Sequence, residues 1–176
     1  MRAYIITGTP GAGKTAILRQ LEANGHAVVE EAATDVIALG QALGDPRPWE
    51  RDGFLERVLD LQLRRRQAAD EAFQEGVVFF DRSPVCTLAL GRYSSRPTPE
   101  GLLTSIAGYR RTAFLVRNLG FVEPTAARRI TLPESLRFER IHEETYLELG
   151  FELVDIPKAP LPERVALIEE AIRVRP

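Results

Sequence analysis

Gly8-Thr9-Pro10-Gly11-Ala12-Gly13-Lys14-Thr15 is the stretch on which the reading of this chain turns. It spells G-x-x-x-x-G-K-T, the signature of a loop that wraps a polyphosphate. Its glycines let the backbone pass close to an anion and turn N–H groups toward it. A helix that follows aims the positive end of its dipole at the same point. Lys14 brings a charge to the outer phosphates, and Thr15 offers a hydroxyl to a magnesium ion. The nucleotide contacts expected here are Gly8, Pro10, Gly11, Ala12, Gly13, Lys14, Thr15 and Ala16. The flanks agree: Arg2 to Thr7 reads as a short apolar strand and Ala16 to Leu21 as a helix. Of 23 Lys+Arg residues, only Lys14 and Lys158 are lysines. A chain that otherwise uses arginine keeps an ammonium where a compact charge is useful.

Outward from the loop, strands and helices alternate. Strands are expected at Ala27 to Val29, Val77 to Phe80, Thr112 to Val116 and Phe151 to Asp155. Helices are expected at Ala32 to Leu43, from an N-cap at Asp52 to Glu75, at Pro84 to Tyr93, as a short piece at Pro99 to Gly108, and at Leu161 to Val174. Thr131-Leu132-Pro133-Glu134 has the form of a capping box opening a helix to Leu149. Arg64-Arg65-Arg66 is read as a solvated helix face. The alternation predicts an α/β fold with a doubly wound parallel sheet, as one domain over residues 1–176. Ligands of such sheets sit at the carboxyl ends of the strands. The polar residues gather there: the loop after strand one, Glu30-Glu31 after strand two, Asp81-Arg82 after strand three and Arg117 after strand four.

Composition narrows the function classes. A net charge of −2 does not imply a broad nucleic-acid surface. No apolar run approaches the length of a membrane span. One cysteine, Cys86, forbids an internal disulfide and makes a reducing cytoplasm the expected setting. It reads as a small buried residue. His26 reads as a loop residue.

Asp81, at the end of an apolar strand, is the expected second magnesium anchor beside Thr15. A hydrolytic ATPase usually carries an acid next to this position to activate water. Arg82 stands there instead, able to hold a phosphate or an acceptor but not to act as a base. Glu30 or Glu31 could take the proton of an attacking hydroxyl. Adjacent residues on an extended chain point opposite ways, so one of the two faces the site. Further positive charge is expected from Arg117, Arg128, Arg129, Arg137 and Arg140, with Arg128 and Arg137 taken as catalytic candidates.

The pattern G-T-P-G-A-G-K-T, V-V-E-E-A-A, F-F-D-R-S and Y-L-E-L-G-F-E-L-V-D-I-P resembles the AAA-type predicted ATPase family of P-loop proteins. That family is closer to nucleoside and nucleotide kinases than to AAA motors, and includes the ribosylnicotinamide kinase module. The Glu-Glu and Asp-Arg-Ser segments are also similar to deoxynucleoside kinases, with Asp81 where those carry Glu. The resemblance implies a sheet order of 2-3-1-4-5, with Glu30 or Glu31 as base and Asp81 as the magnesium-side acid. It further implies Arg82 as a phosphate or acceptor ligand and a mobile lid within residues 117–140. The expected activity is an ATP- and magnesium-dependent transfer to a small hydroxyl-bearing acceptor, nucleoside- or nucleotide-like. A nucleotide-binding regulatory NTPase is the alternative. The expected partners are a nucleoside triphosphate and that acceptor, with no membrane; a homodimer is left open.

Overall fold

The computed structural model describes residues 1–120 and 131–174. The strands are β1 (Arg2–Thr7), β2 (Ala27–Val29), β3 (Val77–Asp81), β4 (Thr112–Val116) and β5 (Glu152–Ile156). The helices are α1 (Lys14–Ala23), α2 (Ala32–Ala42), α3 (Phe54–Ala72), α4 (Pro84–Tyr93), α5 (Leu132–Glu148) and α6 (Leu161–Val174). All strand pairings are parallel, in the order β2-β3-β1-β4-β5 that the resemblance implies.

Alternation along the strands makes two cores. Ala3 and Ile5 join Val78, Phe80 and Ala113 on one face, where Leu59 of α3, Val85 of α4 and Tyr146 of α5 cover them. Tyr4 and Ile6 join Phe79, Phe114 and Val116 on the other, under Ile17 and Leu21 of α1 and Val165 and Ile168 of α6. Strands buried on both faces have no polar side to show, which is why Val77 to Phe80 is an unbroken apolar run. A third, smaller core joins α2 to α3 through Ala32, Phe54, Leu55 and Val58.

Register brings the polar strand ends level. Ile6 lies opposite Asp81, Val29 opposite Phe80, and Thr7 opposite Leu115. The phosphate loop, Glu30-Glu31, Asp81-Arg82 and Arg117 therefore leave the sheet at one edge.

Some local expectations need correction. Asp52 does not cap α3; Gly53, in the left-handed region with φ 72°, holds the N-cap without a side-chain hydrogen bond. The helix ends at Ala72, short of Glu75, because the chain turns extended at Phe73. The stretch from Pro99 forms only a 3-10 turn, Thr104–Gly108. The three arginines of α3 do not share one solvated face. Successive residues fan around a helix by about 100°. Arg64 reaches Asp60 in solvent, Arg65 donates to the Glu30 carbonyl and pairs with Asp35, and Arg66 lies over the Tyr109 ring while holding Asp70. The capping box of α5 is formed as read. Among the described residues, no helix is long and apolar enough to cross a membrane.

Candidate active site

Gly8, Gly11 and Gly13 have φ of 134°, 86° and 81°, the region open to glycine. At Gly8 space is also closed: a Cβ would lie 2.3 Å from the Val116 carbonyl oxygen. The loop thus runs tight against the end of β4 before entering α1. Lys14 folds back, its Nζ donating to the Thr9 carbonyl at 3.2 Å. Burial pushes its pKa down to about 8, with Arg82 acting in the same direction and Asp81 and Glu31 against it. The loop is also held from outside. Asn118 Nδ2 and Ser135 Oγ donate to the Pro10 carbonyl at 3.3 and 3.2 Å, and Arg164 Nη2 to the Ala12 carbonyl at 2.6 Å.

The two adjacent glutamates part. Glu31 lies 2.5 Å from Arg82 Nε and accepts a hydrogen bond from Thr34 Oγ1. Glu30 is exposed, and its carbonyl accepts from Arg65. Arg82 sits in the left-handed region at φ 70°, a strained choice for a residue with a Cβ. Its N–H still donates to the Ile6 carbonyl at 3.0 Å, so the chain stays tied to β1 while it turns into α4. Ser83 then caps α4, its Oγ accepting from the Val85 N–H. Burial disfavours the Arg82 charge, but Glu31 and then Asp81 hold the guanidinium pKa above its ordinary value.

His142, fully buried on α5, completes this group. Its Nδ1–H donates to the Phe138 carbonyl at 2.9 Å, which leaves Nε2 to accept from Arg82 Nη1 at 3.3 Å. Burial and the Arg82 charge push its pKa down to about 3, so it is a neutral acceptor. Arg82 is therefore gripped by a carboxylate on one side and an imidazole on the other. Below it, Ser83 Oγ and Cys86 Sγ reach the Tyr146 hydroxyl at 2.9 and 3.2 Å, and Thr7 Oγ1 reaches Cys86 Sγ at 3.2 Å. Burial raises the Tyr146 pKa well above the phenol value. Cys86 is buried, as expected.

The lowered His142 pKa has a measurable consequence. Between about pH 6.5 and 3 the unfolded chain takes up a proton that native His142 does not. This stability is complete above pH 6.5 and declines as pH falls, by up to about 1.4 kcal/mol per pH unit. His142→Gln keeps an acceptor but removes the titration. In urea unfolding, the stability gap between wild type and variant should narrow by about 2 kcal/mol from pH 7 to pH 5. A constant gap would mean that native His142 takes up its proton as readily as the unfolded chain does.

Two cavities meet at Glu31. One, of about 740 Å³, is lined by Thr15, Asp81, Glu30 and Glu31 among others. Its donors near the loop are oxygens, as a hard cation requires. Among the described residues no cluster of three His, Cys, Asp or Glu side chains is placed to hold a metal. The set fits magnesium, which is usually held by one or two protein oxygens plus phosphates and water. The other cavity, of about 610 Å³, runs from Pro10 of the loop past Glu31 and Arg82 to Trp49, Phe54, Tyr93 and Phe138. Gln62 and Thr87 supply polarity in its wall, the Thr87 hydroxyl donating to Gln62 Oε1 at 2.9 Å.

The remaining predicted arginines are not drawn together. Arg137 is exposed, its guanidinium 5.7 Å from the Tyr93 ring centre at the cavity rim. Arg117 is engaged by Glu139, Glu143 and Asp155. Arg128 and Arg129 fall within residues 121–130, outside the described residues, as does much of the expected lid. His26 faces Glu169 and packs edge-on to Phe79. Sequence reasoning missed Gln62, His142 and Arg164. For the first two a signal existed: each is a polar residue on a buried helical stripe, Val58-Leu59-Gln62 and Phe138-His142-Tyr146. Arg164 carried none.

Solved structures share this architecture. A deoxyadenosine kinase from M.mycoides, with dCMP and dCDP bound, superposes with TM-score 0.60 at 16% identity, covering 98% of this chain and 99% of its own. The same enzyme with dATP gives 0.55 at 13%, covering 97% and 99%. A thymidylate kinase from Candida albicans gives 0.65 at 10%, covering 99% and 92%. No curated protein matches the chain. Residues 3–164 match the family described as AAA domain. With that match spanning most of the sequence, and the five-stranded sheet in the order found, the chain belongs to the AAA domain family of P-loop proteins and has the nucleotide-kinase form of its fold.

Proposed function

We propose that this protein is an ATP- and magnesium-dependent phosphotransferase acting on a small hydroxyl-bearing substrate of nucleoside or nucleotide type. One observation carries the reading: the 610 Å³ cavity opens on the phosphate loop at Pro10, and Glu31 and Arg82 stand between that loop and an aromatic, mostly apolar interior. A cavity of this size suits a flat heteroaromatic ring with a sugar, and Gln62 is the polar group that would orient the ring. The kinases that share the fold act on substrates of that class by their names, which supports the choice.

Phosphoryl transfer needs positioning and charge neutralisation more than covalent help. The acceptor hydroxyl would donate its hydrogen bond to Glu31 while its oxygen lines up with the γ-phosphorus. As the new O–P bond forms, the bond to the β–γ bridging oxygen breaks, the hydroxyl proton passes to Glu31, and ADP leaves. Lys14 and the loop N–H groups meet the negative charge that gathers on the leaving side. A bound magnesium, held by Thr15 and Asp81 with phosphate oxygens, would supply further neutralisation. Arg82, fixed by Glu31 and His142, holds the acceptor end.

ADP formation with a panel of nucleosides, nucleotides and other small alcohols tests this. The right acceptor should raise turnover by orders of magnitude, toward about 1–100 per second. Hydrolysis at one rate with and without every acceptor would favour the regulatory NTPase.

A further inference from the structure

Arg164 is buried, 3% exposed, at the start of α6. Among the described residues no carboxylate pairs with it, and its Nε has no hydrogen-bond partner. Its fork lies against the back of the phosphate loop: Nη2 donates to the Ala12 carbonyl at 2.6 Å, and Nη1 would be 2.9 Å from a Cβ on Gly13.

The Ala12–Gly13 peptide is trans, like all peptides described. In a trans peptide the C=O and the next N–H point opposite ways. Holding the Ala12 carbonyl outward therefore turns the Gly13 N–H inward. The same device recurs at Pro10, whose carbonyl is held by Asn118 and Ser135, so that Gly11 N–H turns inward too. The two grips differ in one respect: that at Pro10 is neutral, that at Ala12 is charged. A cation on a carbonyl oxygen draws electron density through the amide and strengthens its N–H as a donor.

We propose that Arg164 is a positioning residue of the phosphate cradle: it aims and polarises the Gly13 N–H by holding the Ala12 carbonyl from behind, and the bound polyphosphate supplies a counter-charge that its guanidinium does not find among the described residues. The proposal rests on the phosphate-loop reading of residues 8–15. A plain tie between α6 and the loop would predict lost stability with phosphate affinity unchanged.

The test uses the full chain and two probes, inorganic tripolyphosphate and ATP, each with magnesium, titrated calorimetrically. Arg164→Met should lose roughly 10- to 100-fold in affinity for both, the span of one charge-assisted hydrogen bond. Its ligand-free melting temperature should fall by no more than about 5 °C, because a buried charge with no ion pair among the described residues leaves with the hydrogen bond. Arg164→Lys should recover part of the affinity. Wild-type protein guards against a variant that fails to fold: tripolyphosphate should move both the Gly13 amide and the Arg164 guanidinium resonances. Absence of either shift overturns the proposal. If wild type binds both probes and Arg164→Met binds them as tightly, the proposal alone falls. If wild type binds neither, the phosphate-loop reading falls with it.

Discussion

Replacing Lys14 with alanine should reduce nucleoside triphosphate affinity, turnover or both by roughly 100-fold or more. A unit charge about 4 Å from a phosphate oxygen, at an effective dielectric near 20, is worth about 4 kcal/mol. Water entering the space returns part of that. Ligand-free stability should change little, because the ammonium is itself costly where it sits: it is 8% exposed and has its pKa lowered to about 8. Its Nζ donates a hydrogen bond to the Thr9 carbonyl at 3.2 Å. The same lowered pKa gives a pH signature. Lys14 is mainly protonated at pH 7 and loses its charge as pH rises through about 8, so wild-type affinity should weaken across that range and the Lys14→Ala variant should not follow it. Calorimetric titration of magnesium–ATP at pH 7 and 9, with steady-state ADP release, checks both statements. Unchanged binding and unchanged turnover in the variant would remove the phosphate-loop assignment.

The second large effect is expected at Glu31 and Arg82. Glu31→Gln keeps the shape but removes the proton acceptor, so acceptor-dependent turnover should drop by about 10²- to 10⁴-fold. Triphosphate affinity should stay near that of wild type. Arg82→Met should cost stability as well. Both side chains of the pair are mostly buried, 11% and 18% exposed, and removing one partner leaves the other charge uncompensated. Such breaks typically cost about 3–5 kcal/mol. The double variant, Gln at 31 with Met at 82, separates the roles. It should regain much of the stability, since no lone charge remains, but none of the turnover. Urea unfolding and an ADP-release assay on the four proteins give the complete cycle. A Glu31→Gln protein that phosphorylates acceptor at the wild-type rate would exclude Glu31 as the base.

Much of this protein is written locally. The phosphate loop needs glycines with positive φ, and G-x-x-x-x-G-K-T states them in order. The parallel sheet follows from apolar runs such as Val77 to Phe80, because a strand covered on both faces cannot alternate. The Thr131–Glu134 capping box is likewise a contract between residues three apart. Each of these is decided by neighbours within one turn or one strand.

Tertiary structure decided the rest, because the deciding distances join residues far apart in the chain. Glu30 and Glu31 look alike in sequence; only the meeting of β2 with the turn after β3 puts Glu31, and not Glu30, on Arg82. The imidazole partner of Arg82 comes from α5, 60 residues away, and the strained backbone of Arg82 is tied to β1 through the Ile6 carbonyl. Arg64, Arg65 and Arg66 form one run in sequence but three environments in space, set by which neighbours each side of α3 meets. Arg164, which nothing near it in sequence marks, acquires its place behind the phosphate loop when α6 closes on the face of the sheet that carries α1.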